Sequence, residues 1–462
     1  MNRATNQVIR AALATAALGV AATALGAWRA QHQRARRCVP LLPAAERRRV
    51  VVLGGGFGGL YTTMRLDDAL HKDPAVELLL TDRHNYHLFT PMLPLVAGGL
   101  VEARHVIYPV RRLLRRRCFT FRESEVRAVD LERRQVETLD GPLSYDCLVL
   151  ALGGVTNFFS IPRMPELSFP FKTVADAVRL RNHIIDMFER AAVEPEPQMR
   201  RELLTFVIVG GGPTGVELAA SLHDFMHHSL VEEYPALDFS EVRLILAEAR
   251  ERILPNFPED LVKVAERTLR RKGVDIHTGT TIGAIEPDRV LTKDGDQAIP
   301  THTVIWVAGI QASPVVADLP VAKGRGGAAV VNEYFQLPDY PEVFALGDNA
   351  SCADPRTGVP LPADAKVAIR QADWVAKNVV HRLRGEPLER FQYQPIGDMI
   401  SLGTWNAVAD IRGVKLSGFP AWVLWRTYYL GRLLGAENKV RVIGDWLLES
   451  FFERDTARVE AA

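Results

Sequence analysis

The chain has 462 residues, of which 24% are charged and 47% apolar, with a formal net charge of +1. That length is too great for one core and suggests about three domains, while the charge balance excludes an acidic tail and gives nucleic acid no footing. Four scattered cysteines (Cys38, Cys118, Cys147, Cys352) form no C-x-x-C pair, which argues against a disulfide framework and a redox-active dithiol and makes a reducing compartment the expectation.

In chain order, residues 11–28 carry no charge over 18 positions, enough for a helix of about 27 Å, close to a bilayer's hydrocarbon thickness. Half of these residues are alanine, so a cleaved or targeting segment and an interfacial helix stay open beside an anchor. Arg29, Arg34, Arg36 and Arg37 follow, and the first acid is Glu46. By the positive-inside rule this places the main body on the cytoplasmic side of the cell inner membrane.

Val50 to Leu53 then reads as a buried strand leading into Gly54, Gly56 and Gly59 in G-x-G-x-x-G positions, with Phe57 and Gly58 between them. The next strand, Val76 to Thr81, ends at Asp82. This order of strand, glycine turn, helix, strand and acid is the context in which such a turn cradles a dinucleotide pyrophosphate and the acid meets a ribose hydroxyl. The pattern recurs 156 residues later: Phe206 to Val209 leads into Gly210, Gly212 and Gly215, and Val242 to Ala247 ends at Glu248. Two complete copies point to two dinucleotides, a flavin and a nicotinamide cofactor.

Between and after these units, Tyr145 to Ala151 reads as a strand leading into the glycine pair Gly153-Gly154, and a hairpin is expected around Lys293-Asp294-Gly295-Asp296. Val304 to Ala308 reads as a strand ending at Gly309, and Val343 to Leu346 as one ending at Gly347-Asp348. Ligands of open α/β sheets lie at such strand ends, so Asp348 is a candidate acceptor for a ribitol hydroxyl or else a cap for the next turn. At the far end, Trp422, Trp425, Tyr429 and Leu433, then Val442, Trp446, Leu447 and Phe451, recur at helical spacing. With Arg426 and Arg432 among them, the aromatic stripes read as an interfacial pair of helices in preference to core.

The stretches VVVLGGGFGGL, LLTDRHNYHLFTPML, YDCLVLALGGVTNFF, FVIVGGGPTGVELA, WVAGIQASP and VFALGDNASC, with the aromatic tail, resemble the type II NADH:quinone oxidoreductases from about Val50 to Phe452. The resemblance implies an α/β fold of two Rossmann-like domains, FAD in the first and NADH in the second, with a C-terminal membrane-associating region to which the apolar N-terminal helix would be added. Expected bounds are 1–45 for the N-terminal segment and linker, 46–168 and 303–392 for the FAD-binding domain, 169–302 for the NADH-binding domain and 393–462 for the membrane region. The partners implied are membrane lipid and quinone, with no nucleic acid, and a homodimer is a candidate assembly.

The resemblance also carries further site residues. Arg83, His87, Pro91, Ala151, Gly153, Gly347, Asp348, Ala365 and Val367 join the flavin set, and Pro213, Thr214, Ala308 and Gly309 the nicotinamide set. His87, in an apolar stretch, has packed core as its plainer reading. Glu217 matches an acidic position near the flavin, for nicotinamide positioning or proton supply, with a helix N-terminal charge as the simpler role. In the family the stretch after the GD motif reads P-x-A-Q-x-A-x-Q-Q, whereas here Lys366 and Arg370 replace the first two glutamines and only Gln371 matches. A cation there would stabilise a reduced anionic flavin, which makes Lys366 and Arg370 catalytic candidates and leaves the acceptor's identity open; both could instead face solvent or lipid head groups. No metal is expected. The alternatives are an NADH-sensing membrane flavoprotein, a flavin oxidoreductase with another acceptor, and a flavin disulfide reductase, which would need a cysteine pair after the first turn.

Overall fold

The β-branched run of residues 50–52 is fully buried, as expected of a strand covered on both faces. The computed structural model describes residues 38–458 apart from 296, 355, 357 and 396; the apolar segment at 11–28 lies outside them. In chain order, β1 (Arg48–Leu53), helix α1 (Phe57–Leu70), β2 (Val76–Asp82), β3 (Thr120–Glu123) and β4 (Cys147–Leu150) open the molecule. Next come β5 (Phe169–Pro170), α2 (Val174–Val193), β6 (Thr205–Val209), α3 (Pro213–Phe225), β7 (Arg243–Ala247), α4 (Glu259–Arg271), β8 (Val274–His277) and β9 (Thr303–Trp306). The chain continues through β10 (Gln336–Leu337), β11 (Tyr340–Ala345) and α5 (Ala365–Arg384) to β12 (Gly397–Ser401), β13 (Ala407–Ile411), β14 (Val414–Ser417), α6 (Phe419–Arg432) and α7 (Ala436–Leu448).

Two sheets carry the site. The first has the order β10-β11-β4-β1-β2-β3 and the second β5-β9-β6-β7-β8. Their central strands pair in parallel, with Val52 opposite Leu80 and Val149, and Ile208 opposite Leu246 and Ile305. The first sheet is discontinuous in sequence, since Val343 to Ala345 pairs with Leu148 to Leu150. Helix α5 then covers it by packing on α1, with Leu60, Leu66 and Leu70 meeting Ala372, Val375 and Val379 in one core. The expected hairpin is present, its strands Arg289–Thr292 and Ala298–Pro300 pairing antiparallel.

The C-terminal part corrects the reading of its aromatic stripes. Trp422, Trp425, Leu433 and Val442 are buried in one core with Leu218, Leu222 and Phe225 of α3 and Ile400 and Val408 of the β12–β14 meander. Arg426 is buried too, its guanidinium 4.0 Å from the Trp422 ring centre and 4.6 Å from that of Trp446, and paired with Glu449 at 3.2 Å. A desolvated cation between two indoles contributes about 2 kcal/mol or more; the arginine staples α6 to α7 and does not punctuate a membrane face. The exposed apolar groups are others: Trp405, Val414, Phe419, Val423, Leu448, Phe451 and Phe452. Of the stripe residues only Phe451 is among them. Among the described residues no helix is long and apolar enough to cross a membrane.

The cysteine reading is also corrected. Cys38 and Cys118 are joined by a disulfide with a Cα–Cα distance of 5.4 Å, closing 80 residues of chain. In the chain-entropy picture such a loop stabilises the fold by about 4.5 kcal/mol. Spacing alone could not pair them, because the partners meet through the packing of β3 beside β2. Cys147 and Cys352 are free and buried; burial pushes their thiols up to about 12 and about 11.

Candidate active site

Both glycine turns are built the same way. Gly54 and Gly210 have φ of +102° and +120°, open to glycine at little cost. A Cβ on Gly59 would lie 1.9 Å from the Gly54 carbonyl oxygen, and one on Gly215 1.8 Å from that of Gly210, so the third glycine lets the helix close on its own turn. At Gly56 and Gly212, by contrast, nothing lies within 4 Å of the Cβ position. The middle glycine of each turn thus borders open space at a helix N-terminus, where a pyrophosphate fits.

The acids that follow are tied to these turns. Asp82 Oδ2 accepts the Gly55 N–H at 2.6 Å and its Oδ1 accepts the His84 N–H at 2.7 Å. Glu248 repeats the arrangement, Oε2 accepting from Gly211 N–H at 2.6 Å and Oε1 from Arg250 N–H at 2.9 Å. Each carboxylate therefore fixes its turn and keeps lone pairs for a sugar hydroxyl.

The two sheets face one cleft of about 480 Å³. It is lined by Gly54, Gly56, Phe57, Gly58, Asp82, Arg83, Pro91, Ala151 and Gly153 from the first sheet and by Pro213, Thr214, Glu217 and Gly309 from the second, with Gly347, Asp348, Ala365 and Lys366 closing it. Gly59, Gly210, Gly212, Gly215, Glu248, Ala308 and Val367 lie outside this lining. The glycines and Glu248 shape the turns, Ala308 backs Gly210, and the Val367 N–H donates to Asp364 Oδ1 at 2.8 Å to cap α5.

His87 is corrected from a lining residue to a support. Buried behind the first turn, it bonds through Nδ1 to the Gly55 carbonyl at 2.9 Å, and burial lowers its pKa to about 4, so it is neutral. Arg370 is corrected as well: it is exposed, outside the cleft. It lies one turn, about 6 Å along α5, beyond Lys366. The matching glutamine, Gln371, is buried and accepts the Gly347 N–H at 2.7 Å, fixing the turn that presents Asp348.

Several contacts of the site residues were not foreseen. Lys172, next to the Thr173–Asp176 capping box of α2, reaches the Asp348 carboxylate at 3.2 Å. Its only sequence signal was the T-x-x-D cap beside it. Lys366 is ion-paired to Asp398 on β12 and lies 3.7 Å from Asp364. Against its burial, those two carboxylates raise its pKa; no local signal links residue 366 to 398. Trp425 Nε1 and the Ser401 N–H both donate to Glu217 Oε1, at 3.0 and 2.9 Å.

Glu217 stands in the second turn of α3 on the cleft wall, bonded to Ser401 of the β12–β14 meander and Trp425 of α6. Burial pushes its carboxyl up to about 8, the bonds from Ser401 and Trp425 opposing that rise only in part. At neutral pH it is mostly protonated, and because Oε1 accepts two donors, the proton resides on Oε2. A cysteine pair is absent from the cleft lining, so disulfide reduction there has no chemical group to use.

Comparison with known proteins agrees with this geometry. Residues 48–372 match the family model for pyridine nucleotide-disulphide oxidoreductases, and residues 396–455 match the NDH2 C-terminal domain. The chain is 32% identical to the type II NADH:quinone oxidoreductase Ndh of Mycobacterium tuberculosis, over 88% of this chain and 89% of that one. It is 33% identical to the demethylphylloquinone reductase NdbB of Synechocystis, over 87% and 98% of the two chains. The structure of NDH2 from Plasmodium falciparum in complex with NADH shares the fold at a TM-score of 0.81 and 17% identity, covering 89% of this chain and all of that one. The chain therefore belongs to the pyridine nucleotide-disulphide oxidoreductase family and, within it, to the type II NADH:quinone oxidoreductases.

Proposed function

We infer that the protein is a non-proton-pumping NADH dehydrogenase that holds FAD and NADH against each other and reduces a membrane quinone. The observation that carries this is the pair of equivalent turns whose helices begin at one cleft, α1 with Phe57 and Gly58 and α3 with Pro213 and Thr214, with a mostly protonated Glu217 on its wall. When bound, FAD accepts a hydride from NADH and passes two electrons to the quinone.

The residues of the chain position and protonate. Gly54 to Gly59 and Asp82 hold one dinucleotide, and Asp348, braced by Lys172, is set to receive a ribitol hydroxyl. The N-terminal turn of α5, with Ala365 and Lys366, turns its positive end to the cleft, which suits an electron-rich ring edge. Gly210 to Gly215 and Glu248 hold the second dinucleotide. Glu217 Oε2 supplies a proton to the reduced acceptor, and the Lys366 ammonium stands where a quinone carbonyl would need a donor.

NADH should exceed NADPH in kcat/KM by more than about tenfold, because Glu248 would repel a 2′-phosphate. Of the two sequence neighbours able to weaken that preference, Arg250 and Arg252, Arg252 is already committed to the Pro255 and Phe257 carbonyls, and Arg250 is exposed. Equal or higher efficiency with NADPH would overturn the role given to Glu248.

The membrane side of the reading rests on the exposed apolar groups. The Trp405 and Phe419 rings lie 5.9 Å apart at a tilt of 36°, Val423 is exposed one turn further along α6, and Phe451 and Phe452 are about two-thirds exposed. Such groups suit an interface with acyl chains. In liposomes, Ser at Phe419, Val423, Phe451 and Phe452 together should slow long-chain quinone reduction about tenfold, while reduction of a short-chain quinone persists. Lys366→Gln, read in the same assay, should raise KM for both quinones and leave reduction of the flavin by NADH unchanged. Unaltered long-chain rates in the fourfold variant would remove the membrane role, and an unaltered KM in Lys366→Gln would remove that of Lys366. The cytoplasmic placement rests on the arginines after residue 28 alone, and the Cys38–Cys118 bond weighs against a permanently reduced body.

A further inference from the structure

The Cys38–Cys118 pair has a fixed half and a tethered half. Cys118 is locked: its N–H donates to Asp67 Oδ1 at 2.6 Å, and the preceding Arg117 bonds to Asp68 at 2.7 Å and to the Met64 carbonyl at 2.9 Å, at the C-terminal end of α1. Cys38 belongs to an exposed irregular arm, residues 38–43, which leads into β1. Besides the disulfide, the arm is held by the Leu42 N–H donating to the Pro74 carbonyl at 2.9 Å.

The sequence before the two cysteines is alike. Cys38 follows Arg36 and Arg37, and Cys118 follows Arg115, Arg116 and Arg117. Cys38 is exposed and so open to an attacking thiolate in thiol–disulfide exchange. Cys147 and Cys352 are buried, with thiols pushed well above the usual range, so no other cysteine of the folded chain competes.

We propose that Cys38 and Cys118 are a thiol–disulfide exchange site, worked by small thiols or by a dithiol protein of the C-x-x-C class, that fastens or releases the arm leading into the FAD-side sheet. A reductant thiolate bonds to Sγ of Cys38, the exposed partner, the bond to Cys118 breaks, and the Cys118 thiolate takes a proton. The second thiol of the reductant then displaces Cys38 and leaves as a disulfide, so that two electrons and two protons pass to the pair. The reverse run, with a disulfide of the same class as oxidant, recloses it. In a cytosolic setting a bond of this kind is a reporter of thiol state and not permanent scaffolding.

The site is separate from catalysis, because it contacts α1 at Asp67 and Asp68, about 15 Å along the helix from the Gly54–Gly59 turn. The test uses the full-length, flavin-loaded protein in native buffer, titrated with glutathione and its disulfide and then trapped by alkylation. Trypsin without reductant should yield residues 38–47 joined to residues 118–122, and these should separate reversibly as the glutathione pool becomes reducing. Hydrogen exchange over residues 39–46 should rise at least about tenfold on reduction, and equally in Cys118→Ser, with short-chain quinone activity unchanged in both. Two alkylated thiols that never cross-link on oxidation would overturn the proposal, as would a bond that opens only when the protein is denatured.

Discussion

Alanine at Gly59 should strip the purified protein of flavin, whereas alanine at Gly215 should leave it yellow and unable to be bleached by NADH. The added methyl would lie 1.9 Å from the Gly54 carbonyl in the first variant and 1.8 Å from the Gly210 carbonyl in the second. Both are backbone atoms, so relief requires moving a helix off its strand, at about 1–3 kcal/mol or more. A displaced helix N-terminus no longer meets the pyrophosphate, and the loss of affinity should reach about a hundredfold at the altered site alone. Flavin absorbance after gel filtration and stopped-flow bleaching by NADH read the two outcomes. If both variants lost flavin alike, or neither did, the assignment of one dinucleotide to each turn would fail.

Glu217→Gln should separate the two half-reactions. The amide oxygen can still accept from Ser401 and Trp425, so the fold and the cleft persist, but the proton source is gone. Flavin reduction by NADH should continue near the parent rate, while quinone reduction falls about a hundredfold, the lower range for loss of a general acid. In the parent the quinone step should slow as pH rises through about 8, where Glu217 ionises, and in the variant that step should be flat.

Stability carries a second signature. The folded pKa, about 8, exceeds the ordinary 4.5; between these values the folded chain binds the proton that the unfolded chain has released. Glu217 therefore makes stability fall as pH rises from 4.5 to about 8, with no contribution to the slope outside that window. Denaturant midpoints across it should slope less in Glu217→Gln. Parent-like pH dependence of both the quinone step and the midpoint in the variant would rule out Glu217 as the titrating group.

The parts that could be read ahead of the structure are those whose chemistry is local. Gly54 to Gly59 and Gly210 to Gly215 specify their turns within six residues, and Asp82 and Glu248 follow at the ends of adjacent parallel strands, so strand order alone brings each to its turn. Glu217 was readable as a position, but not its protonation, which depends on burial beneath the β12–β14 meander and α6 about two hundred residues away, against the opposing bonds from Ser401 and Trp425. Helical spacing on α6 located an apolar stripe without saying what covered it. The cover is α3 and the β12–β14 meander, so the α6 stripe turned out to be core, and of the exposed phenylalanines Phe451 was named while Phe419 and Phe452 were missed. Lys366 and Arg370 are four residues apart on α5, yet the cleft takes Lys366, Ala368 and Ile369 into its lining and leaves Arg370 exposed outside it, which spacing alone does not reveal.

The order of β11-β4-β1 in the first sheet sets a timetable for biosynthesis. Strand β1 has its β4 neighbour once residue 150 has emerged, but β4 must wait for Val343 to Ala345. At about 5–20 residues per second, the 193 residues from Leu150 to Val343 take roughly 10–40 s to translate. During that interval the whole second sheet, residues 169–306, emerges as one continuous block able to close by itself, while the first waits with a bare apolar edge at Leu148 to Leu150. Asp348 arrives only after that edge is covered, so flavin loading is a late, nearly post-translational event, and a nascent chain arrested before residue 343 is a substrate for chaperones and not for FAD.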